Sequence, residues 1–516
     1  MLRMFVLALL AASTFAAPNK QSVEEQLTAK EQQLESLYAD YWRADYEVQQ
    51  GNPKASTKPI QQQIHDVVDD SEFLRQLQAA DFHDPVLKRR RRLFIDEAAA
   101  DQVMDNPELS RLVESIRQKE AGVRYQVGTR RLTRGDVNNI TGQDSDRRLR
   151  QQAWEARAQV TNLIAEPVRQ AVKIRNALSV KAGGTRFPEA ALARKGLTRK
   201  RVENYFEQIR SGSQVEYDAL LRKMQRELHV SALEPWDLEY YFSTLTGASE
   251  ERLFDREQAW PRIKRLAASL GYDFDRLPVQ MKIANITFGG STYPILYGKE
   301  VKILVNRYAG IRFTDTLLHE AGHALHYSFN DQGSFLLRAN YSEPFDEGLG
   351  QVMALMLYRP EIATSYFGLS ADQARSILER YRLKSLFDMR ELMADFLFEL
   401  SFYDNPNQDL TTLYNRIYSR LLGVNMHGKA VWGFDPFYAS QPIYEHNYVL
   451  AEMFARQVHH TLEQRFPMPW GKDAGAFLRK QFFSQGARHT LDEILLQDTG
   501  EPLTPSYLIQ SFKAGH

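Results

Sequence analysis

From Val23 to Tyr46 apolar residues recur at helical spacing, with Leu27, Leu34, Leu37, Tyr38, Tyr41 and Trp42 set among Glu, Gln and Lys. The same period runs through Arg147–Arg175, Arg201–Leu228 and Ala371–Leu400, which predicts a chain built mostly of amphipathic helices. The pattern changes between Ile283 and Tyr308. There ITFGGSTYPILYG precedes VKILVNRY, β-branched runs around Gly289, Gly290 and Gly298 that predict a small hairpin or sheet. No internal repeat and no Gly/Ser-rich or Pro-rich linker divides the chain.

A further helix is expected just after that sheet, in TDTLLHEAGHALH. Thr314 or Asp315 can cap its start, and Leu317, Leu318, Ala321 and Leu325 supply a buried stripe. His319 and His323 are four residues apart, so both imidazoles leave one helix face about a turn from each other. Glu320 lies about 100° around the helix from His319, within reach of a water on the metal without being a ligand. This is the HExxH arrangement, in which two histidines bind zinc and the glutamate is the general base.

Catalytic zinc takes three protein ligands and leaves one position open. Ser342-Glu343-Pro344-Phe345-Asp346-Glu347 opens a second amphipathic helix, with Ser342 as its cap, Pro344 in its first turn and Phe345, Leu349, Val352, Met353 and Met356 on its apolar side. Glu347 follows His323 after enough chain for one helix to end and the next to fold back, and it is the expected third ligand. Gln351 lies one turn further on the same face, placed to support a ligand through a hydrogen bond.

Composition narrows the setting. The 516 residues are 43% hydrophobic and 25% charged, ordinary for a globular protein and unlike a disordered chain or a polytopic membrane protein. With 65 basic and 65 acidic residues there is no cationic excess for nucleic acid, and the run Lys88–Arg92 reads as a solvated helix face. The absence of cysteine excludes disulfides, a thiol nucleophile and a Cys-based zinc site, so any metal is held by His, Asp or Glu. Arg3, the apolar stretch Phe5–Ala12 and the small residues Thr14 and Ala16 form a signal peptide over residues 1–16. The expectation is an exported protein, periplasmic or secreted, with no membrane insertion once the signal is removed.

HEAGHALH followed by FDEGLGQ resembles the gluzincin oligopeptidases of the thimet oligopeptidase and angiotensin-converting enzyme types. RLRQQAWEAR, RNALSVKAGG, EPWDLEYY and FGGSTYPI are similar patches, so the resemblance spans roughly Arg147–Leu462. It implies a mainly α, zincin-like fold for residues 17–516: one domain of two helical lobes flanking a deep substrate channel, with a small β-sheet beside the HExxH helix. It implies one zinc ion per chain, held by His319, His323 and Glu347, with Glu320 as base. The late segment PFYASQPIYEHNYVLAEMFARQVHHTL resembles the helix that carries oxyanion donors. Tyr448 best matches the family's tyrosine and His446 is its candidate partner, though two positions on one helix diverge by about 200°. Tyr444 is a candidate substrate contact and His427 a reserve. Gly289 and Gly290 resemble the cleft-edge strand that binds the substrate backbone.

The activity implied is hydrolysis of short unfolded peptides, as a peptidyl-dipeptidase. Where the converting enzymes place a lysine for the substrate carboxylate, an ungapped match puts Pro436, and Asn447 replaces an arginine. Those departures keep open an endo-acting oligopeptidase of the thimet type. A non-catalytic peptide-binding relative is a third reading, opposed by the intact His-Glu-His-Glu set. The sequence carries no signal for the oligomeric state.

Overall fold

The computed structural model describes residues 22–244, 252–435 and 437–513. Residues 1–16, where a signal peptide is expected, and Pro436 lie outside them. The fold is mainly α, as expected, with a second small sheet besides the expected one, and each periodic segment identified in the sequence is helical.

Helix α1 (Val23–Gln49) begins in a capping box, with the Ser22 hydroxyl accepting from the Glu25 amide and the Glu25 carboxylate accepting from Ser22. Its apolar stripe, with Leu27 and Leu34 fully buried, packs on α2 (Pro85–Met104) and its neighbours in an N-terminal core. Asp84 caps α2 by accepting from the Leu87 amide, and Pro85 sits in the first turn. The basic run lies on α2, but only Lys88 and Arg92 face solvent. Arg89 donates to the Ala487 carbonyl, Arg90 to Glu31 and Arg91 to the Ala80 carbonyl, so the run fastens α2 to its surroundings.

Tyr125–Val127 (β1) and Arg130–Leu132 (β2) form a short hairpin. The periodic stretch from Arg147 divides at Arg157, giving Arg147–Ala156 and the long α3 (Ala158–Gly183), and the stretch from Arg201 divides similarly at Ser213. The larger sheet contains β3 (Val279–Ala284), β4 (Gly290–Leu296) and β5 (Glu300–Asn306) in the order β3-β5-β4. β4 and β5 are the expected antiparallel pair, and β3 adds a parallel neighbour with Val279 opposite Val301. β4 is therefore an edge strand.

After β5 come α4 (Gly310–Phe329) and α5 (Glu343–Ala354), and later α6 (Ala371–Asp404) and α7 (His446–Arg465). α4 starts a full turn before the expected cap: Ala309 is its N-cap and Gly310 adopts φ +64, while Thr314 and Asp315 lie inside the helix. Ser342 does occupy the N-cap position of α5, but its backbone carbonyl serves the helix and its hydroxyl makes no capping bond. The predicted apolar faces are buried: Leu317, Leu318, Ala321 and Leu325 on α4, and Phe345, Leu349, Val352, Met353 and Met356 along and just after α5.

Glycine sets how closely these helices approach. A Cβ on Gly322 would stand 2.4 Å from the Leu349 carbonyl oxygen and 2.8 Å from Gly350 Cα. A Cβ on Gly348 would meet the Phe454 ring of α7 at 2.4 Å. Contacts that short are not tolerated, so α4–α5 and α5–α7 can cross as they do because those positions lack a side chain. No helix among the described residues is long and apolar enough to cross a membrane.

The cluster of carboxyls on α6 and the segment before α7 predicts a pH dependence of stability. Burial raises the carboxyl of Glu391 to about 7, of Glu399 to about 8 and of Glu445 to about 9. In the unfolded chain these groups lose their protons near pH 4.3. The folded state therefore binds more protons above that pH, and stability falls as pH rises until each folded pKa is passed. Between pH 7 and 9, above the ordinary histidine range, thermal unfolding should move to lower temperature, with a slope on the order of 1.4 kcal/mol per pH unit for each group still protonated. Calorimetric melts of the wild type and Glu399→Gln check this: the variant should show the shallower decline.

Candidate metal centre

α4 and α5 bring three donors together. His319 Nε2 lies 3.0 Å from His323 Nε2 and 3.3 Å from Glu347 Oε2, and the donor atoms of all three residues fall within 4.8 Å of one another. Two ligands of a tetrahedral zinc, each about 2.0–2.1 Å from it, stand roughly 3.3 Å apart. Two imidazoles and a carboxylate at these separations fit zinc in both chemistry and size.

The supports of the cluster come from several elements. His323 Nδ1 lies 3.2 Å from Asp346 Oδ1, so the carboxylate fixes the ring with Nε2 turned toward the other donors. His326 Nδ1 shares the same oxygen at 3.2 Å, and the Tyr327 hydroxyl donates to Oδ2 at 2.8 Å. Burial pushes the Asp346 carboxyl up, but the charge and hydrogen bonds of His323 and His326 outweigh it and hold it far below the carboxylate range. On α5, Gly350 faces the His319 ring, whose atoms would lie 2.7–2.9 Å from a Cβ there. Asp346→Asn should weaken metal binding about 10–100-fold, read by competition with a chelator.

Glu320 projects beside the donors and is held from the sheet. The Thr292 hydroxyl of β4 donates to Glu320 Oε2 at 2.7 Å. Gly290 lets the strand lie close, since a Cβ there would approach Glu320 Cγ and Oε1 at 2.9 Å. Burial raises the Glu320 carboxyl above its ordinary value, opposed by His323 and His319.

A cavity of about 590 Å³ opens over the cluster. His319, Glu320, His323 and Glu347 form one wall, Gly290, Ser291 and Thr292 of β4 another, and Tyr38 and Trp42 of α1 a third. Tyr444 and Tyr448 complete it, their rings 5.5 Å apart and edge-to-face. The Tyr444 hydroxyl donates to Glu347 Oε1 at 2.7 Å, so this tyrosine orients a donor as well as lining the cavity. Burial raises the Tyr448 phenol, with Glu347 adding to the effect, so it stays protonated and able to donate.

The structure does not bring His446 to the cavity. α7 starts at His446, so the regular helical divergence from Tyr448 applies, and its ring packs 4.6 Å from Phe396 with both nitrogens buried and without a partner among the described residues. Burial drives that imidazole well below its usual pKa. Gln351 points elsewhere too: its amide donates to the Tyr381 hydroxyl and to Glu452 rather than to a donor of the cluster. Gly289 stands one residue outside the cavity wall, its carbonyl accepting from Asn306. His427 stacks on Trp236, His459 bonds the Val352 carbonyl and His460 packs on Tyr507. Asp346, His326 and Thr292 are the residues that sequence reasoning missed. Asp346 adjoins Glu347 and His326 is one turn beyond His323, so helical spacing could have indicated both; Thr292 reaches Glu320 from a different element.

No protein-family profile matches the chain, and no curated protein matches its sequence. Solved structures do. A carboxypeptidase from Pyrococcus furiosus superposes with a TM-score of 0.67 at 14% identity, covering 96% of this chain and 99% of that one. Metallocarboxypeptidase 1 from Trypanosoma cruzi gives 0.64 at 16%, covering 94% and 100%. An M32 carboxypeptidase from Deinococcus radiodurans R1 gives 0.66 at 15%, covering 95% and 97%. This likeness extends over nearly the whole chain and does not single out the thimet or converting-enzyme types; what it establishes is that the chain has the fold of the metallocarboxypeptidases.

Proposed function

We propose that the chain is a zinc metallopeptidase acting on short unfolded peptides. The observation that carries this reading is the convergence of His319, His323 and Glu347 beside a buried Glu320, at the wall of a cavity with an open strand edge. Zinc bound there would supply Lewis acidity, polarising the scissile carbonyl and lowering the pKa of the attacking water. Glu320, oriented by Thr292, takes the proton of that water and returns it to the leaving amine. Asp346 keeps His323 in its ligating orientation, and Tyr444 does the same for Glu347. The β4 edge at Gly290 and Ser291 offers backbone groups to an extended peptide. Tyr448 donates to the oxyanion as it forms.

Tyr448→Phe should lower kcat about 10²–10³-fold with little change in KM. Steady-state kinetics check this, and an unchanged kcat would leave Tyr448 as packing.

The names of the superposed structures favour release from the C-terminal end, as single residues or as the dipeptides of a peptidyl-dipeptidase. Internal cleavage is the second reading, favoured by a cavity wall without lysine or arginine among the described residues. The N-terminal apolar segment supports an exported enzyme, periplasmic or secreted. A mass-spectrometric product ladder from a decapeptide tests both the activity and its mode. Dipeptides or single residues lost from the C-end support the first reading and internal cuts the second; no cleavage by the zinc-loaded protein would refute the activity.

A further inference from the structure

Five carboxylates line the cavity over the metal centre: Glu35, Glu97, Glu320, Asp346 and Glu347. Four of them are ion-paired or sit within the histidine cluster. Asp346 is held by His323, His326 and Tyr327, and Glu347 by His319 and Tyr444. Glu320 bonds Thr292 beside the donors, and Glu35 is ion-paired with Arg338 at 2.6 Å. Glu97 is different. It projects from α2, and its Oε1 accepts from the Tyr38 hydroxyl at 2.6 Å. It forms no ion pair among the described residues, and Arg194 acts on it only from beyond ion-pair distance.

A partly buried carboxylate without an ion-pair partner is costly, and a cation placed beside it recovers that cost. Burial raises the Glu97 carboxyl, as expected for a site lacking its counter-charge. Tyr38 and Trp42, which line the same cavity, add aromatic faces that attract an ammonium or guanidinium. No lysine or arginine lines this cavity among the described residues, whereas Lys58, Arg111, Arg117 and Arg175 line a separate cavity of about 980 Å³ beside Tyr41 and Ser440.

We propose that Glu97, with Tyr38 and Trp42, forms a subsite for a positively charged group of the peptide substrate, either a lysine or arginine side chain or the peptide's own terminal ammonium. The subsite rests on the peptidase reading for the identity of its occupant. It makes the enzyme selective for basic over acidic peptides near the scissile bond.

The test is equilibrium binding to the zinc-loaded Glu320→Gln protein, which holds peptides without consuming them. Octapeptides identical except for Lys, Gln or Glu at one scanned position are compared, each with a free or an acetylated N-terminus. The best Lys peptide should bind about tenfold or more tightly than its Gln counterpart, with Glu weaker still. Adding Glu97→Gln should bring the Lys/Gln ratio to about one. A preference that survives acetylation assigns the side chain as the occupant, and one lost on acetylation assigns the terminal ammonium. Equal binding of Lys and Gln peptides at every position with no effect of acetylation would overturn the proposal, as would a ratio unaffected by Glu97→Gln. If the double variant fails to fold, the peptide comparison alone decides. Wild-type turnover of the same peptides separates the two claims: charge-selective binding without cleavage removes the peptidase reading and keeps the subsite, whereas cleavage without selectivity does the reverse.

Discussion

Glu320→Gln is expected to bind zinc as the wild type does and to lose turnover by about 10²–10⁴-fold. The replacement has nearly the same shape, and its side-chain carbonyl can still accept from the Thr292 hydroxyl that now holds Oε2 at 2.7 Å. Glu320 is not among the three converging donors, so the metal ligands are untouched. Only the capacity to carry a proton from the attacking water to the leaving amine disappears. Metal content and kcat measured on the same preparation distinguish this from a folding defect. Full activity in the variant would remove Glu320 as the base, and loss of zinc would make it a ligand instead.

The second large effect is expected at a residue within the HExxH segment that has no side chain of its own to react, Gly322. Gly322→Ala puts a methyl group against the Leu349 carbonyl oxygen and Gly350 Cα, both backbone atoms that cannot rotate away. The α4 and α5 helices must separate, and overpacking of this kind typically costs about 1–3 kcal/mol. The separation acts directly on function, because His319 and His323 ride on one helix and Glu347 on the other. The variant should melt at lower temperature and hold zinc more weakly, read by thermal denaturation and by chelator competition. Gly142→Ala is the matched control. A Cβ there meets nothing within 4 Å, so it should leave both quantities near the wild type or slightly raise stability. Normal zinc affinity in Gly322→Ala would show that the crossing can relax without moving the donors.

These two positions also show where the sequence was informative. The clustering of His319, His323 and Glu347 and the roles proposed for them and for Glu320 follow from spacing on two helices, and a periodic apolar face locates each helix. Gly322, Gly348 and Gly350 stand inside the same motifs, yet their importance depends on which helix lies opposite, and that is a tertiary fact. The strand β3 escaped for a similar reason: its partner β5 is parallel and separated by β4, so no local turn announces the pairing. Tyr448 reached the cavity while His446 did not, because the first residue of α7 already obeys the helical rotation that divides them. The start of α4 was misplaced because a good capping residue, Thr314, is buried within a helix whose actual entry is the positive-φ Gly310. The charge imbalance at Glu97 could not be read at all, since Tyr38 and Glu97 are 59 residues apart and meet only in the folded cleft.

The central claim is that one zinc at His319, His323 and Glu347 confers peptide hydrolysis, and titrating metal back into the chelated protein tests it most directly. Peptide turnover should be absent without metal, rise linearly with added zinc and break at one equivalent, while His323→Ala shows no such rise. Turnover that persists in the fully chelated protein, or a His323→Ala protein that regains activity at one equivalent, would contradict the account.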